Sequence, residues 1–296
     1  MRIVTRPDFD GVACAVLLHD VLNITEPTCW LTAAPIQRGE WHATTGDVIA
    51  NLPYHANCTL WFDHHASNEI ASDFDGVFEV APSAARVIYE YYKDSFSEDF
   101  SELVEAADHI DSAQLTMDEV LDPALNPYFL LSITLEDNYC NGESYWNKIV
   151  NALSTSSIDK ILALDYVDEH CQTVFNQHDA FREQLLNCTV MDGLVSVTDF
   201  RELSLVPDGN RFLVYCLFPD CITNVKVCHS SGSEDLIRCS VGHNIFNREC
   251  QVNAGELLKK YNGGGHFGAG GASLESVHAN QDIKTIISAL NKNISL

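Results

Sequence analysis

Positive charge is scarce in this 296-residue chain: 17 Lys and Arg stand against 42 Asp and Glu, a formal net charge of −25 with His neutral. Non-specific affinity for nucleic acid comes from Lys and Arg neutralising phosphates, so a general DNA- or RNA-coating role is excluded and any phosphate partner must be held locally. Long apolar runs are missing too. No stretch approaches about 18 consecutive apolar residues, and the opening Met1-Arg2-Ile3-Val4-Thr5-Arg6-Pro7-Asp8 has no apolar core of a secretory signal, which predicts a cytoplasmic protein with no membrane partner. The 11 cysteines include no Cys-x-x-Cys pair, and some lie inside apolar runs such as Leu213-Val214-Tyr215-Cys216-Leu217-Phe218. Their odd number and wide spacing suit buried thiols in a reducing compartment, not a disulfide frame or a zinc site. Internal repeats, low-complexity segments and long charge blocks are absent as well.

What is present is a globular composition, 46% hydrophobic and 20% charged, in a chain long enough for two domains with separate cores. Residues 2–5 read as a short strand running into a Pro/Asp/Gly loop, and residues 12–18 as a helix. The apolar runs 48–50 and 59–62 are short and bounded by polar residues, as buried strands of a parallel sheet are. Residues 83–93 and 103–107 look helical and lead into Asp108-His109-Ile110-Asp111. Residues 158–187 contain no Gly or Pro and predict a long linking helix. Beyond it, residues 194–198, 211–218, 224–227 and 236–241 alternate in the manner of strands. The predicted fold class is therefore α/β in two domains, an N-terminal parallel-sheet domain (1–165) and a smaller C-terminal α/β domain (187–296), with residues 166–186 as linking helix.

Three segments carry chemistry. Asp8-Phe9-Asp10-Gly11 lies in a strand-to-helix loop, where alternate residues can turn two carboxylates toward one hard divalent cation at the carboxyl end of a strand. The same residues would equally serve as an N-cap and a first-turn acid. Asp63-His64-His65 follows an apolar strand directly. Neighbouring side chains of an extended segment point opposite ways, so one histidine is expected to ligate and the other to face substrate. In Asn262-Gly263-Gly264-Gly265-His266-Phe267-Gly268-Ala269-Gly270-Gly271, consecutive glycines let backbone N–H groups approach phosphate oxygens, although a glycine run is also the mark of a plain surface turn.

In this order and at these spacings, the three segments resemble the DHH phosphoesterase superfamily, in particular its two-domain members with a DHH-associated C-terminal domain, exopolyphosphatase-related or active on short oligonucleotides. The anchors reach from residue 4 to residue 271, and residues 115–185 carry no motif. The resemblance implies two α/β domains facing each other across a cleft, with one or two Mn²⁺ or Mg²⁺ ions on the N-terminal side. Asp8, Asp10, Asn51, His64 and Asp108 would be the metal residues. Asp63 would orient the histidines and His65 would contact the scissile phosphate. Gly264, Gly265 and His266, with His243 and Arg248 beside them, would bind the substrate's terminal phosphate or nucleotide.

Two positions depart from the pattern. A His commonly stands four residues before the first Asp, where this chain has Val4, and the Asp that bridges the metals falls at Asn51, a neutral side chain. Asp47 and His55 are the nearby candidates to replace a missing ligand. The expected activity is metal-dependent hydrolysis of short nucleotides: short oligonucleotides, linear dinucleotides or 3′,5′-bisphosphonucleotides. A surface of this net charge repels long polyanions, so long nucleic acid is not an expected partner and exopolyphosphatase is the second expectation. Val4 and Asn51 motivate a third, a nucleotide-binding protein that has lost catalysis. A homodimer is left open.

Overall fold

The short apolar runs near the N-terminus pair with one another as parallel strands. The computed structural model describes residues 1–136, 140, 142–206, 209–230 and 233–295, without the side chains of Ser233 and Glu234. Contacts divide the chain into two compact units, the first comprising Met1–Leu115 and Asp122–Val174, the second Thr116–Leu121 and Phe175–Leu296.

In the first unit, β1 (Arg2–Thr5) leads into α1 (Phe9–Leu22), and β2 (Cys29–Trp30) and α2 (Ala33–Gln37) follow. Next come β3 (Asp47–Ala50), β4 (Leu60–Asp63), β5 (Gly76–Phe78), α3 (Ala84–Tyr92) and α4 (Ser101–Asp111). The five strands are ordered β2-β1-β3-β4-β5, and every pairing is parallel. Because β1, β3 and β4 are neighbours, the segments that leave their carboxyl ends, at Arg6, Asn51 and His64, emerge side by side. One layer of the core joins Val4, Ile49 and Trp61 to Ile36, Ala43 and Leu52. Residues Val12, Ala13, Cys14, Ala15, Val16, Leu17 and Leu18 of α1 are wholly buried, which leaves this helix no polar face along that stretch. It packs against β1, α3, α4 and, further along the chain, α7 (Glu143–Leu153).

Between α4 and α7 lie α5 (Met117–Leu121), which belongs to the second unit, and α6 (Pro127–Thr134). The region expected to be one helix from 158 to 187 is two: α8 (Ile158–Leu162) and then α9 (Asp165–Cys188), within which the division between the units falls.

The second unit contains β6 (Thr189–Asp192), β7 (Val195–Asp199), α10 (Leu213–Leu217), β8 (Thr223–Ser230), β9 (Ser233–His243), α11 (Ala254–Lys259), β10 (Gly264–Gly265), β11 (Ala269–Glu275) and α12 (Ser276–Lys292). Its sheet runs β10-β11-β9-β8-β7-β6, with β7 and β8 parallel and the other neighbours antiparallel. Val225, Ile237, Val241 and Leu274 of the strands share a core with Ile283, Ile286 and Leu290 of α12. The alternation at 211–218 predicted a strand there, and the structure corrects it to the helix α10. Asn210 accepts a hydrogen bond from the Phe212 amide at 3.0 Å and turns the chain, and Leu213, Val214 and Tyr215 are then buried in succession, as one tight helical turn packed on several sides allows. None of the eleven cysteines is in a disulfide. Among the described residues, no helix is long and apolar enough to cross a membrane.

One ion pair ties two interior strands of the first sheet at their amino ends. Arg2 donates to both carboxylate oxygens of Asp47 at 2.9 Å across the β1–β3 register, and the Thr44 amide donates to the same carboxylate, which is 2% exposed. Burial works upward on the Asp47 carboxyl, but Arg2 and Thr44 outweigh it and hold the group below its usual range. A lowered folded value gives stability that is complete above the unfolded value of 3.8 and is lost as the pH falls below it. Asp47→Asn is therefore expected to cost about 1–3 kcal/mol at neutral pH. In urea unfolding, the gap to wild type should shrink below about pH 4, and a gap independent of pH would rule the pair out as its source.

Candidate metal centre

The strand-to-helix loop after β1 is folded tightly over the start of α1. Asp8 takes the N-cap position, its Oδ1 accepting from the Gly11 amide at 2.9 Å. A Cβ on Gly11 would lie 2.0 Å from the Arg6 carbonyl oxygen, so the loop closes this way only with glycine there. This turn places Asp10 in the first turn of α1 with its side chain fully buried. A lone buried carboxylate is costly, and α3 supplies the donors: the amides of Ala84 and Ala85, at its N-terminus, donate to Asp10 at 2.9 and 2.8 Å. Burial first, then the nearby charges of Asp111 and Asp8, still push the Asp10 carboxyl well up.

His64 leaves the end of β4 and is 8% exposed. Its Nδ1 lies 3.0 Å from the Ala81 carbonyl oxygen, which can only accept, so the proton sits on Nδ1 and the lone pair on Nε2. That Nε2 is buried and has no hydrogen-bond partner. It faces Oδ2 of Asp10 at 3.7 Å and Oδ2 of Asp111 at 3.5 Å. Three acceptors turned toward one another without a donor between them are what a cation requires, and bonds of ~2.1 Å set neighbouring ligand atoms ~3–3.5 Å apart. Nitrogen with carboxylate oxygens suits a divalent first-row metal or Mg²⁺. The residues present therefore fit the metal that the sequence pattern leads one to expect.

Asp111 enters this group where Asp108 was expected. Asp108 instead accepts from Ser83 Oγ at 2.6 Å and from Arg86 Nε at 2.8 Å, with Arg86 Nη2 at 2.7 Å. Ser83 caps α3 by accepting from the Arg86 amide, so Asp108 fixes the helix end that feeds Asp10. The two aspartates are three residues apart on one face of α4, and sequence spacing does not decide which of them meets His64. Asp63 is fully engaged by donors: the His64 amide at 2.9 Å, His65 Nδ1 at 2.9 Å and Asn68 Nδ2 at 2.6 Å. It orients His65, whose Nε2 lies 3.4 Å from Arg6 Nη1. Arg6 is a member of the site that the sequence reading missed, and its position inside the Asp-x-Asp loop was the available signal.

Asn51 directly follows β3 in a left-handed conformation, φ 55°, which Asn adopts readily. Its Nδ2 donates to Asp8 Oδ1 at 3.0 Å, which leaves Oδ1 as a buried oxygen without a donor. Val4 lies in the apolar core. Neither proposed replacement joins the group: Asp47 is held by Arg2 and Thr44, and His55 accepts from the Asn57 amide and faces His42 at 3.3 Å.

In the second unit, Gly264 and Gly265 form β10, paired with Gly271 and Gly270. Gly265 has φ 149°, and a Cβ there would lie 2.3 Å from the Ala269 oxygen, so the hairpin depends on glycine at this position. The His266 amide donates to the Ala269 oxygen at 2.7 Å within the same turn. His243 is held through Nε2 by the Val252 oxygen at 3.0 Å, and burial pushes its pKa down, which keeps it neutral near pH 7. Arg248 is exposed and donates to the Ile245 oxygen.

Metal binding is expected to raise the melting temperature, since an ion bound to the folded state at about 100 times its Kd adds about 2.7 kcal/mol. Mn²⁺ should shift the wild type and leave His64→Ala and Asp111→Asn unshifted. Asp108→Asn should melt lower yet retain the metal-induced shift; loss of the shift in Asp108→Asn with retention in Asp111→Asn would return the ligand role to Asp108.

No protein-family model and no curated protein sequence matches the chain. Solved structures do. The pGpG-specific phosphodiesterase PggH of Vibrio cholerae superposes with a TM-score of 0.84 at 33% sequence identity, over 99% of each chain. RecJ of Thermus thermophilus in complex with Mn²⁺ shares the fold at 13% identity and a TM-score of 0.62, over 99% of this chain and 52% of its own. An exopolyphosphatase-related protein of Bacteroides fragilis does so at 11% identity and 0.58, over 98% of this chain and 92% of its own. Identity at one residue in three along the entire length, with Asp63-His64-His65 at the end of a central strand, settles the kinship: the chain belongs to the DHH superfamily of metal-dependent phosphoesterases.

Proposed function

We propose that the chain hydrolyses the phosphodiester bond of short linear dinucleotides, with pGpG as the leading substrate and Mn²⁺ as the preferred ion. The likeness to a pGpG-specific phosphodiesterase over 99% of both chains carries this reading. The net charge of −25 supports it from another side, since a longer polyanion must run past the site over a repelling surface.

When bound, the metal supplies Lewis-acid polarisation of a phosphoryl oxygen and an activated water. The chain's own groups do the positioning. His64 offers Nε2 because Ala81 holds the proton on Nδ1, and Asp10 is kept in place by the first turn of α3. His65, fixed through Nδ1 by Asp63 and with Arg6 at its Nε2, is the side chain proposed to lie against the scissile phosphate. Gly264, Gly265 and His266, with His243 and Arg248, are the proposed holders of the rest of the nucleotide. For His243 this contact is one of shape and hydrogen bonding, since the neutral ring offers no charge.

The test offers pGpG, a longer oligonucleotide and polyphosphate at equal phosphate concentration with Mn²⁺, to wild type, His64→Ala and Asp10→Ala. Dinucleotide turnover by the wild type should exceed that of polyphosphate by about 100-fold, and both variants should lose about 10³-fold or more, as removal of metal-borne charge stabilisation predicts. Equal rates in all three proteins would remove the assignment. Tight dinucleotide binding without turnover in Mn²⁺, Mg²⁺ and Co²⁺ would replace it with a nucleotide-binding role.

A further inference from the structure

We propose that the Arg6 guanidinium occupies the place of a second cation, so that the site holds a single metal ion at Asp10, His64 and Asp111 and uses Arg6 as its other positive centre, bound to a phosphoryl oxygen of the substrate. This rests on the phosphoesterase reading but on none of its detail about which nucleotide is cleaved.

The argument begins with Asp8, the other carboxylate of the loop. Its Oδ1 accepts from both the Gly11 amide and Asn51 Nδ2, at 2.9 and 3.0 Å. Its Oδ2 faces Arg6 Nε at 3.0 Å. Oδ2, the oxygen that the cap leaves over, is the one that the Arg6 guanidinium covers. Asn51 turns an Oδ1 without a donor to this place, but that single neutral oxygen brings no charge to hold a second divalent ion. The residue four positions before Asp8, Val4, is buried in the apolar core and offers no ligand atom.

Into this place the chain puts a permanent cation. Arg6 is tied at one end to Asp8 and at the other, through Nη1, to His65 Nε2 at 3.4 Å, and its charge also acts on Asp111. It is thus anchored beside the three-acceptor group and not in it. Nε and one Nη1 proton are used, which leaves Nη2 and the second Nη1 proton of a side chain that is 39% exposed. A planar fork with free N–H donors beside a metal suits a phosphoryl oxygen better than an ammonium group does.

The test measures metal count and activity separately. Metal-free protein titrated with Mn²⁺ should bind one ion per chain, with the paramagnetic resonance spectrum of an isolated ion; two ions with an exchange-coupled spectrum would overturn the proposal, whatever the substrate. Arg6→Gln should still bind one Mn²⁺ and melt within about 2 °C of wild type, yet lose about 100-fold or more in kcat on a dinucleotide, the usual effect of removing one donor to transition-state charge. Arg6→Lys should fall between the two. Unchanged kinetics in Arg6→Gln, or loss of its metal, would equally defeat the assignment. If no phosphoester is hydrolysed by the wild type, the functional reading fails, while the metal count still decides between one cation and two.

Discussion

The burial of one carboxylate, Asp10, is the constraint around which the first unit is arranged. It lies on a helix whose next turns are wholly apolar and enclosed, so its charge is removed from water by the same packing that makes the core. Two amides at the start of α3 meet it, and α3 can be there only because Ser83, Asp108 and Arg86 lock its first turn to α4. Even so, Asp8 and Asp111 stand close enough to raise its pKa. Like charges crowded in this way are unfavourable alone and favourable around a cation, and the fold sustains that arrangement at the point where chemistry needs it.

The residues around this carboxylate divide the work in layers. Asp10, His64 and Asp111 offer lone pairs. Ala81, Asp63 and Asp108 touch none of the others' facing atoms, yet they set a tautomer, a ring orientation and a helix end. Parallel neighbours in the sheet bring the three contributing loops together, which explains why residues separated by more than forty positions, Asp8 and Asn51, share a hydrogen bond. The acidity of the whole chain has a local counterpart here: the site concentrates carboxylates and tempers them with one arginine, while the rest of the net charge remains on the surface.

Much of this was legible in the sequence because it depends on local chemistry. Strand 2–5, an acidic loop and a helix through residues 12–18 follow from pattern alone, and Asp-His-His after an apolar strand marks a candidate site by residue type. What the pattern did not resolve falls where tertiary packing overrides local preference. Asp108 and Asp111 lie on one face of α4, and the choice between them depends on where α3 places Arg86. Arg6 reads as an ordinary loop residue until Asp8 and His65 are seen on either side of it. Residues 213–217 have the composition of a strand, but they are turned into a helix by Asn210 and buried from several sides.

The sequence by itself determined the chemical inventory: an acidic chain, two carboxylates in a capped loop, a histidine pair at a strand end and a glycine run, because each of these follows from residue type and short spacing. Only the tertiary structure decided their roles. Coordination depends on which atoms face one another without a donor between them, and that is a property of strand order, helix placement and one fixed tautomer at His64. The same structure places Asp8 at the cap of α1, with Asn51 on one of its oxygens and Arg6 against the other, an arrangement that its position in the sequence does not disclose.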